Sequence, residues 1–471
     1  MKNLKMKPLC FAVSVLTTVA SMPTLAEIKE ITLLHTNDIE SVYEPVDAFW
    51  NDDIELIGGI PYLATLIKNV QAEEGTSFLL DAGDIYTGAL SKKSKGKLPF
   101  DLYNSMGYDV ITLGNHEFEY GWESLVETMP RARFPVLNAN IFHEASDSMF
   151  AQPYTILERD GVKIGVIGVM GIDAFYNTMW KGNRKGLTVK DPTEIAQKWA
   201  DKIFGGHSDN GLVEPVVHPK TGTVIGLTFG QGMHLGYTKF TVDTEKHDVK
   251  FLGGKLIPVE SAKLERDEAT YALIQKIRDA HPTLADQLST LDKAASRRYY
   301  RESNVGNLVA DLMKDAGQAD IAMISSGSLR VDLNPGAVTR ENVMNLFPFT
   351  DTLTVVELTG GNVQELLEYS YTLPYGLAQF SGIKATYDST QPEGERLISL
   401  SINGKPVSEN QKYKVATYSY AASGGDGYTV FNKGETLSNG DPVMQVLIEG
   451  FQERKNITVP ELGRQVDVSR Q

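Results

Sequence analysis

Four stretches of this chain place carboxylate, amide or imidazole side chains beside glycine directly after an apolar run. Leu33-Leu34 leads into His35-Thr36-Asn37-Asp38-Ile39-Glu40, and Leu79-Leu80 into Asp81-Ala82-Gly83-Asp84. Thr112-Leu113 leads into Gly114-Asn115-His116-Glu117, and Ile203-Phe204 into Gly205-Gly206-His207-Ser208-Asp209. Each alone is weak, because an aspartate after a strand usually caps a turn. Four in series are hard to explain by capping. Glycine lets backbone and ligand come close, and oxygen with imidazole donors is what a pair of divalent cations needs. Two cations roughly 3.5–4 Å apart hold an attacking hydroxide and neutralise charge in an in-line phosphoryl transfer.

The elements that must position these groups follow an α/β rhythm. Ile31 to Leu34 reads as a buried strand, Ile60 to Val70 as a helix behind Pro61, and Ser77 to Leu80 as the next strand. A helix near Asp101 to Met106 precedes a strand over Asp109 to Leu113. The nearly continuous valine, isoleucine and glycine of Val162 to Met170 predicts a strand covered on both faces. Alternating strands and helices predict a layered α/β domain, with ligands at the strand ends. Around Glu260 to Arg298 the apolar strands vanish, and Tyr271, Ile274 and Ile277 recur at helical spacing among charges. This predicts a mostly exposed helix joining two domains. Beyond Asn304 a second α/β pattern begins, with helices at Leu308 to Ala316 and Asn362 to Tyr369 and strands at Ile321 to Ile324 and Leu353 to Leu358.

Asp38-x-Glu40, Gly83-Asp84, Gly114-Asn115-His116-Glu117 and Gly206-His207-Ser208-Asp209 together resemble the calcineurin-like metallophosphoesterases. In the second half, Arg301-Glu302-Ser303-Asn304-Val305-Gly306-Asn307, Ser325-Ser326-Gly327-Ser328-Leu329-Arg330, Phe347-Pro348-Phe349-Thr350-Asp351 and Tyr420 through Tyr428 with its Gly-Gly-Asp-Gly turn resemble the nucleotidase C-terminal domain. The whole pattern is similar to the secreted bacterial 5'-nucleotidases and their UDP-sugar hydrolase and cyclic-phosphodiesterase relatives. It implies a metallophosphoesterase domain at 27–262, a linker helix at 263–290 and a substrate-binding domain at 291–471.

The resemblance also implies roles. Two divalent ions (Mn²⁺, Mg²⁺, Co²⁺ or Zn²⁺, with Ca²⁺ open) would be held by Asp38, Glu40, Asp84, Asn115, His207 and Asp209, with Asp84 bridging them. His116 would sit over the phosphate, and Asn115, His116 and Asp84 would form the catalytic group. Phe349 and Tyr420 would flank a base, Asp426 would accept from ribose hydroxyls, and Arg330, with Arg301, would meet phosphate. The chain departs from the family in several places. Histidine is usual where Glu40 stands, and histidine or glutamine at Asp209. The resulting oxygen-rich set leans towards Mg²⁺, Mn²⁺ or Ca²⁺. Tyr299 and Ser325 also replace family residues. Between Asp191 and Gly206 the family has a strand ending in a histidine ligand, then a helix. Here a helix at about Pro192 to Lys202 runs almost directly into Ile203-Phe204, which leaves no room for a parallel crossover. None of the 8 histidines fills that slot, and His234 is not expected to replace it.

The expected function is metal-dependent hydrolysis of nucleoside 5'-monophosphates for nucleotide salvage, with nucleotide sugars, di- and triphosphates or 2',3'-cyclic nucleotides as further substrates. The alternative is a catalytically impaired nucleotide-binding protein. A formal charge of -15 argues against a nucleic-acid partner, since phosphate backbones would be repelled. Lys2, Lys5 and Lys7, the apolar run Leu9 to Ala20 and the small residues before Glu27 read as a signal peptide over 1–26. Export to the periplasm or medium, no membrane anchor after cleavage, and a monomer are expected. The single cysteine, Cys10, lies within that peptide, so no cysteine chemistry is expected of the mature chain.

Overall fold

The computed structural model describes residues 28–48, 51, 53–196, 202–204, 211–246, 248–373 and 375–470. The signal-peptide region, His207 and Asp209 lie outside the described residues.

A six-stranded sheet organises the first half. Its order is Asp248–Pro258, His234–Asp243, Ile28–Thr36, Ser77–Asp81, Val110–Thr112, Val136–Leu137. The last four are parallel, and the first two add an antiparallel edge. Successive side chains of a strand face opposite ways, which explains why the apolar runs lack alternation: both faces are covered. Leu34, Leu79 and Ile111 enter the main core with Leu63 and Ile67 of the helix Ile60–Glu74. Ile31, Leu33, Phe78, Leu80 and Val110 join Phe240 on the other face. Leu79 has no exposed surface, so Leu79→Ala is a cavity-forming change worth about 2–5 kcal/mol. Strand polarity then puts the Asp38, Asp84 and Asn115 loops at one edge of the sheet.

Two expectations need correction. The Val162 run is not covered on both faces: Val162–Ile167 pairs with Tyr154–Arg159 in a two-stranded antiparallel hairpin. Asp160 (φ 51) and Gly161 (φ 75) make its turn, a sequence that accepts two left-handed residues. Val162, Ile164 and Val166 pack on the second core cluster while Lys163 is exposed. The helix predicted through Lys202 does not include that residue. A helical segment is described over Pro192–Ala196, and Lys202–Phe204 is a strand. That strand runs parallel to Val224–Gly226 in a separate three-stranded sheet.

The second half holds a five-stranded sheet ordered Gln379–Ser381, Ile321–Ile324, Lys412–Tyr418, Thr352–Thr359, Glu435–Pro442, with the helix Asn304–Ala316 packed on it. Between the halves lies the helix Glu268–Ala280. Asp267 caps it, accepting from Thr270 N at 2.9 Å, a device worth about 1 kcal/mol. Ile274 is buried against helices of the first half. Near its end Arg278 spans the halves, reaching Glu44 at 2.6 Å and Glu341 at 2.9 Å.

Candidate active site

Two of the strand-end loops of the first half interlock backbone to backbone, and the Gly114–Glu117 loop joins them through the Glu117 and Asp84 carboxylates. Asp38 N donates to Gly83 O at 3.0 Å and Glu40 N to Asp84 O at 2.9 Å. Asp38, Glu40, Ser41 and Asp84 all hold positive φ, between 50° and 60°. Such non-glycine residues cost on the order of 1 kcal/mol or more each and cluster at functional sites. At Gly83 only glycine fits, because a Cβ would lie 2.4 Å from Gly114 N; one on Gly114 would meet Asp84 Oδ1 at 2.3 Å. The pattern read from sequence as glycine beside carboxylate is therefore a packing requirement.

Buried charge fills this junction. Glu117, with no exposed surface, accepts from Gly114 N and Ile85 N at 2.6 Å each and from Asp84 N at 3.1 Å. Burial pushes its carboxyl up, and the neighbouring Asp84 adds to this. His116 N donates to Asp84 Oδ1 at 2.7 Å. The His116 ring contacts Glu119 Oε1 through Nδ1 at 2.6 Å and Glu40 Oε1 through Nε2 at 3.3 Å. Burial alone would lower its pKa, but the carboxylates of Asp84, Glu119 and Glu117 outweigh it and hold it at about 10. Glu40 Oε1 also takes a very close ion pair from Arg330 Nη2, reaching across from the second half. Burial draws the Arg330 pKa down to about 10, which leaves it charged at neutral pH. Glu119 escaped the sequence reading; its spacing three residues after His116 was the available signal.

Asp38, Glu40, Asp84 and Asn115 are thus brought together, each under 6% exposed. Asn37 Nδ2 orients Asp38 by donating to Oδ2 at 2.7 Å. Among the described residues no three histidine, cysteine, aspartate or glutamate side chains converge as a metal cluster, and the predicted partners His207 and Asp209 are not described. Glu40 Oε2 is buried without a hydrogen-bond partner. A buried carboxylate oxygen left without a partner is, by its chemistry, a donor suited to a hard divalent cation.

A cavity of about 980 Å³ opens from this cluster into the second half. Glu40, Asn115 and His116 line one side; Arg330, Phe349, Tyr420 and Asp426 line the other. Phe349 lies 6.5 Å from the His116 ring, centroid to centroid, and packs edge-on against Phe347. Tyr420 is stacked on Tyr418 at 6.2 Å, and its hydroxyl lies 3.2 Å from Asp426 Oδ1. Asp426 sits at φ 52 in the Gly-Gly-Asp-Gly turn. Burial raises its carboxyl to about 6, with Asp173 and Asp351 adding repulsion and Tyr420 and Ser325 opposing.

Arg301 is not brought to this cavity: it is exposed and does not line it. Arg297 does, held by Asp332, which accepts from its backbone N at 2.7 Å and its Nε at 3.3 Å. The reciprocal Ala295–Leu333 backbone pairing sets that placement, and nothing local in sequence announces it. His234 also lines the cavity, beside Phe229, and burial lowers its pKa to about 4.

Two family descriptions match the chain: calcineurin-like phosphoesterase over residues 31–222 and 5'-nucleotidase, C-terminal domain over residues 283–433. A snake venom 5'-nucleotidase of Naja atra is 25% identical over 89% of this chain and 95% of its own length. The 5'-nucleotidase of Bos taurus is 26% identical over 93% and 91%. The crystal structure of a 5'-nucleotidase precursor from Thermus thermophilus superposes with a TM-score of 0.82, covering 93% of this chain and 99% of that one. At 22% identity that likeness is one of fold. No helix among the described residues is long and apolar enough to cross a membrane.

Proposed function

Because the chain belongs to the family that joins a calcineurin-like phosphoesterase domain to a 5'-nucleotidase C-terminal domain, we propose that it hydrolyses nucleoside 5'-monophosphates to nucleoside and phosphate with the aid of divalent metal ions. The observation that carries this reading is one cavity with Asn115, His116 and Glu40 on one wall and Phe349, Tyr420 and Asp426 on the other. A phosphate at the first wall and a nucleoside at the second make one substrate.

Two divalent ions would be held by Asp38, Glu40, Asp84 and Asn115, with His207 and Asp209 completing the set. When bound, they supply a deprotonated water and charge neutralisation for phosphoryl transfer. The chain's own groups do the rest. Asp84 receives the His116 N–H and so fixes the ring's backbone. Glu119 orients the imidazole through Nδ1, and Nε2, which contacts Glu40 at 3.3 Å, would turn to a phosphate or leaving oxygen once Glu40 releases it. Arg330 offers planar donors to phosphate oxygens once Glu40 releases it. Phe349 and Tyr420 flank the base, and Asp426 accepts from ribose hydroxyls.

The oxygen-rich ligands favour Mg²⁺ or Mn²⁺ over Zn²⁺. Export to the periplasm, as a monomer serving nucleotide salvage, fits the signal peptide read over 1–26. The binding-only alternative is not favoured, since relatives matched along nearly the whole chain carry hydrolase names.

The test is phosphate release from AMP by the purified protein, with EDTA, Mg²⁺, Mn²⁺, Co²⁺ and Zn²⁺ in parallel. Metal-dependent release abolished by His116→Ala is expected. Folded protein that binds AMP yet releases no phosphate with any metal overturns the hydrolytic reading.

A further inference from the structure

The second-half wall of the cavity does not stand alone. Residues 171–186 of the first half cross over to it: the Tyr420 hydroxyl makes a very short hydrogen bond to the Asn177 carbonyl, and the Tyr375 hydroxyl donates to Asp173 at 3.4 Å. The crossing point is a single π-helical turn, Ala174–Thr178, a rare geometry that is frequent at functional sites. It is a braced turn. Phe175 is fully buried, and the Arg184 guanidinium lies 5.5 Å over its ring and 4.9 Å over Tyr176. Asn177 Nδ2 donates to Asp173 at 2.5 Å.

From this turn Trp180 projects into the cavity with half of its surface exposed, 52%. Among the described residues no other side-chain ring or cation stacks on this indole. Its position is specified, because a Cβ on Gly182 would lie 2.3 Å from the indole; only glycine lets the ring lie on the backbone there. The far end of the segment returns to the catalytic loop, where Asn183 Nδ2 donates to Glu119 O at 3.0 Å and Trp122 N to Asn183 O at 3.2 Å.

We propose that Trp180 is a substrate-contacting residue supplied by the first half, an aromatic surface for the base in addition to Phe349 and Tyr420. This rests on the nucleotidase reading. A base seated by Tyr420 has its third neighbour on the element that also holds the Glu119 backbone, so base recognition and the His116 loop share one support. A phosphate ester without a base gains nothing from Trp180, and the residue therefore sets preference for nucleotides over simple phosphate esters.

The test compares wild type, Trp180→Ala and Trp180→Phe in the full chain. Adenosine affinity is measured by calorimetry in EDTA, and KM and kcat for AMP and for ribose 5-phosphate are measured with metal. Loss of one stacked surface predicts about tenfold weaker adenosine binding and a KM for AMP raised about tenfold in Trp180→Ala. Constants for ribose 5-phosphate and kcat for AMP stay within about twofold, and Trp180→Phe recovers most of the loss. Adenosine affinity and KM for AMP unchanged from wild type in Trp180→Ala overturn the inference, as does an equal loss for ribose 5-phosphate, which marks a structural role. If Trp180→Ala does not fold, Trp180→Leu is read by the same criteria. Wild type that hydrolyses AMP while the variants match it loses only this inference; wild type that neither binds adenosine nor hydrolyses AMP loses the nucleotidase reading with it.

Discussion

On one side of the cavity the working groups are buried charges. Asp38, Glu40, Asp84 and Glu117 are fixed by backbone donors, by left-handed residues and by glycines that admit no substitute. On the other side they are rings, Phe349, Tyr420 and Tyr375, with two carboxylates, Asp351 and Asp426, among them. The first wall gains its precision from electrostatics and strain, so removal of one member leaves its neighbours uncompensated. The second gains affinity from contact area, and its members act nearly independently. Chemistry that must stabilise developing charge needs the first kind of construction; recognition of a flat apolar base needs the second.

If this contrast holds, the largest effect belongs to His116. His116→Ala removes the cation that sits between Glu40, Glu119 and Asp84 and is expected to lower kcat for AMP about a thousandfold, read as phosphate release. A drop below tenfold in properly folded protein would break the assignment. Arg330→Ala comes next. It strips Glu40 of its buried partner, so unfolding free energy in denaturant titrations should fall by about 3 kcal/mol. Adding Glu40→Gln should restore more than half of that, a non-additivity the aromatic wall should not show. Phe349→Ala should be smaller and of a different kind: KM for AMP raised about tenfold, kcat within about threefold. A change confined to kcat would mean that Phe349 acts through the His116 ring it faces rather than through the base.

The two walls were also unequally visible in the sequence. The carboxylate loops could be read because their constraints are local: glycine next to carboxylate at a strand end is demanded by backbone contact, as at Gly83 and Gly114. The sheet strands were equally plain, since burial on both faces writes continuous apolar runs such as Ser77–Asp81. The Val162 run looks the same and is a half-covered hairpin, because composition cannot tell which face another element will cover. What stayed hidden depends on placement at long range. Arg297 enters the cavity and Arg301 does not, a choice made by Asp332 and the Ala295–Leu333 pairing. Trp180 reaches Tyr420's wall across more than two hundred residues of sequence. Glu119 could have been found, since a carboxylate three residues past His116 in a helical turn must fall beside it.

The smallest expected effect is the sharpest on the nature of the second wall, because stability and binding should move in opposite directions. Asp426 has its carboxyl raised to about 6 by burial, above an unfolded value of about 3.9. The folded state therefore binds this proton more tightly than the unfolded chain does. The associated stability is present in full below about pH 4 and is lost as pH rises through about 6. Asp426→Asn keeps the shape and tolerates the left-handed backbone without the charge. It should stabilise the protein by about 1–2 kcal/mol at pH 7.5, discounted for the group's partial exposure, and by almost nothing at pH 4. Adenosine affinity at pH 7.5 should fall at the same time, since the ribose hydroxyls lose an ionised acceptor, and wild-type affinity should decline below about pH 6 as Asp426 takes up its proton. Thermal melts at the two pH values and adenosine calorimetry read both arms. Loss of stability at pH 7.5 in Asp426→Asn would mean that the carboxylate is a structural partner of Tyr420 rather than a charge held ready for substrate.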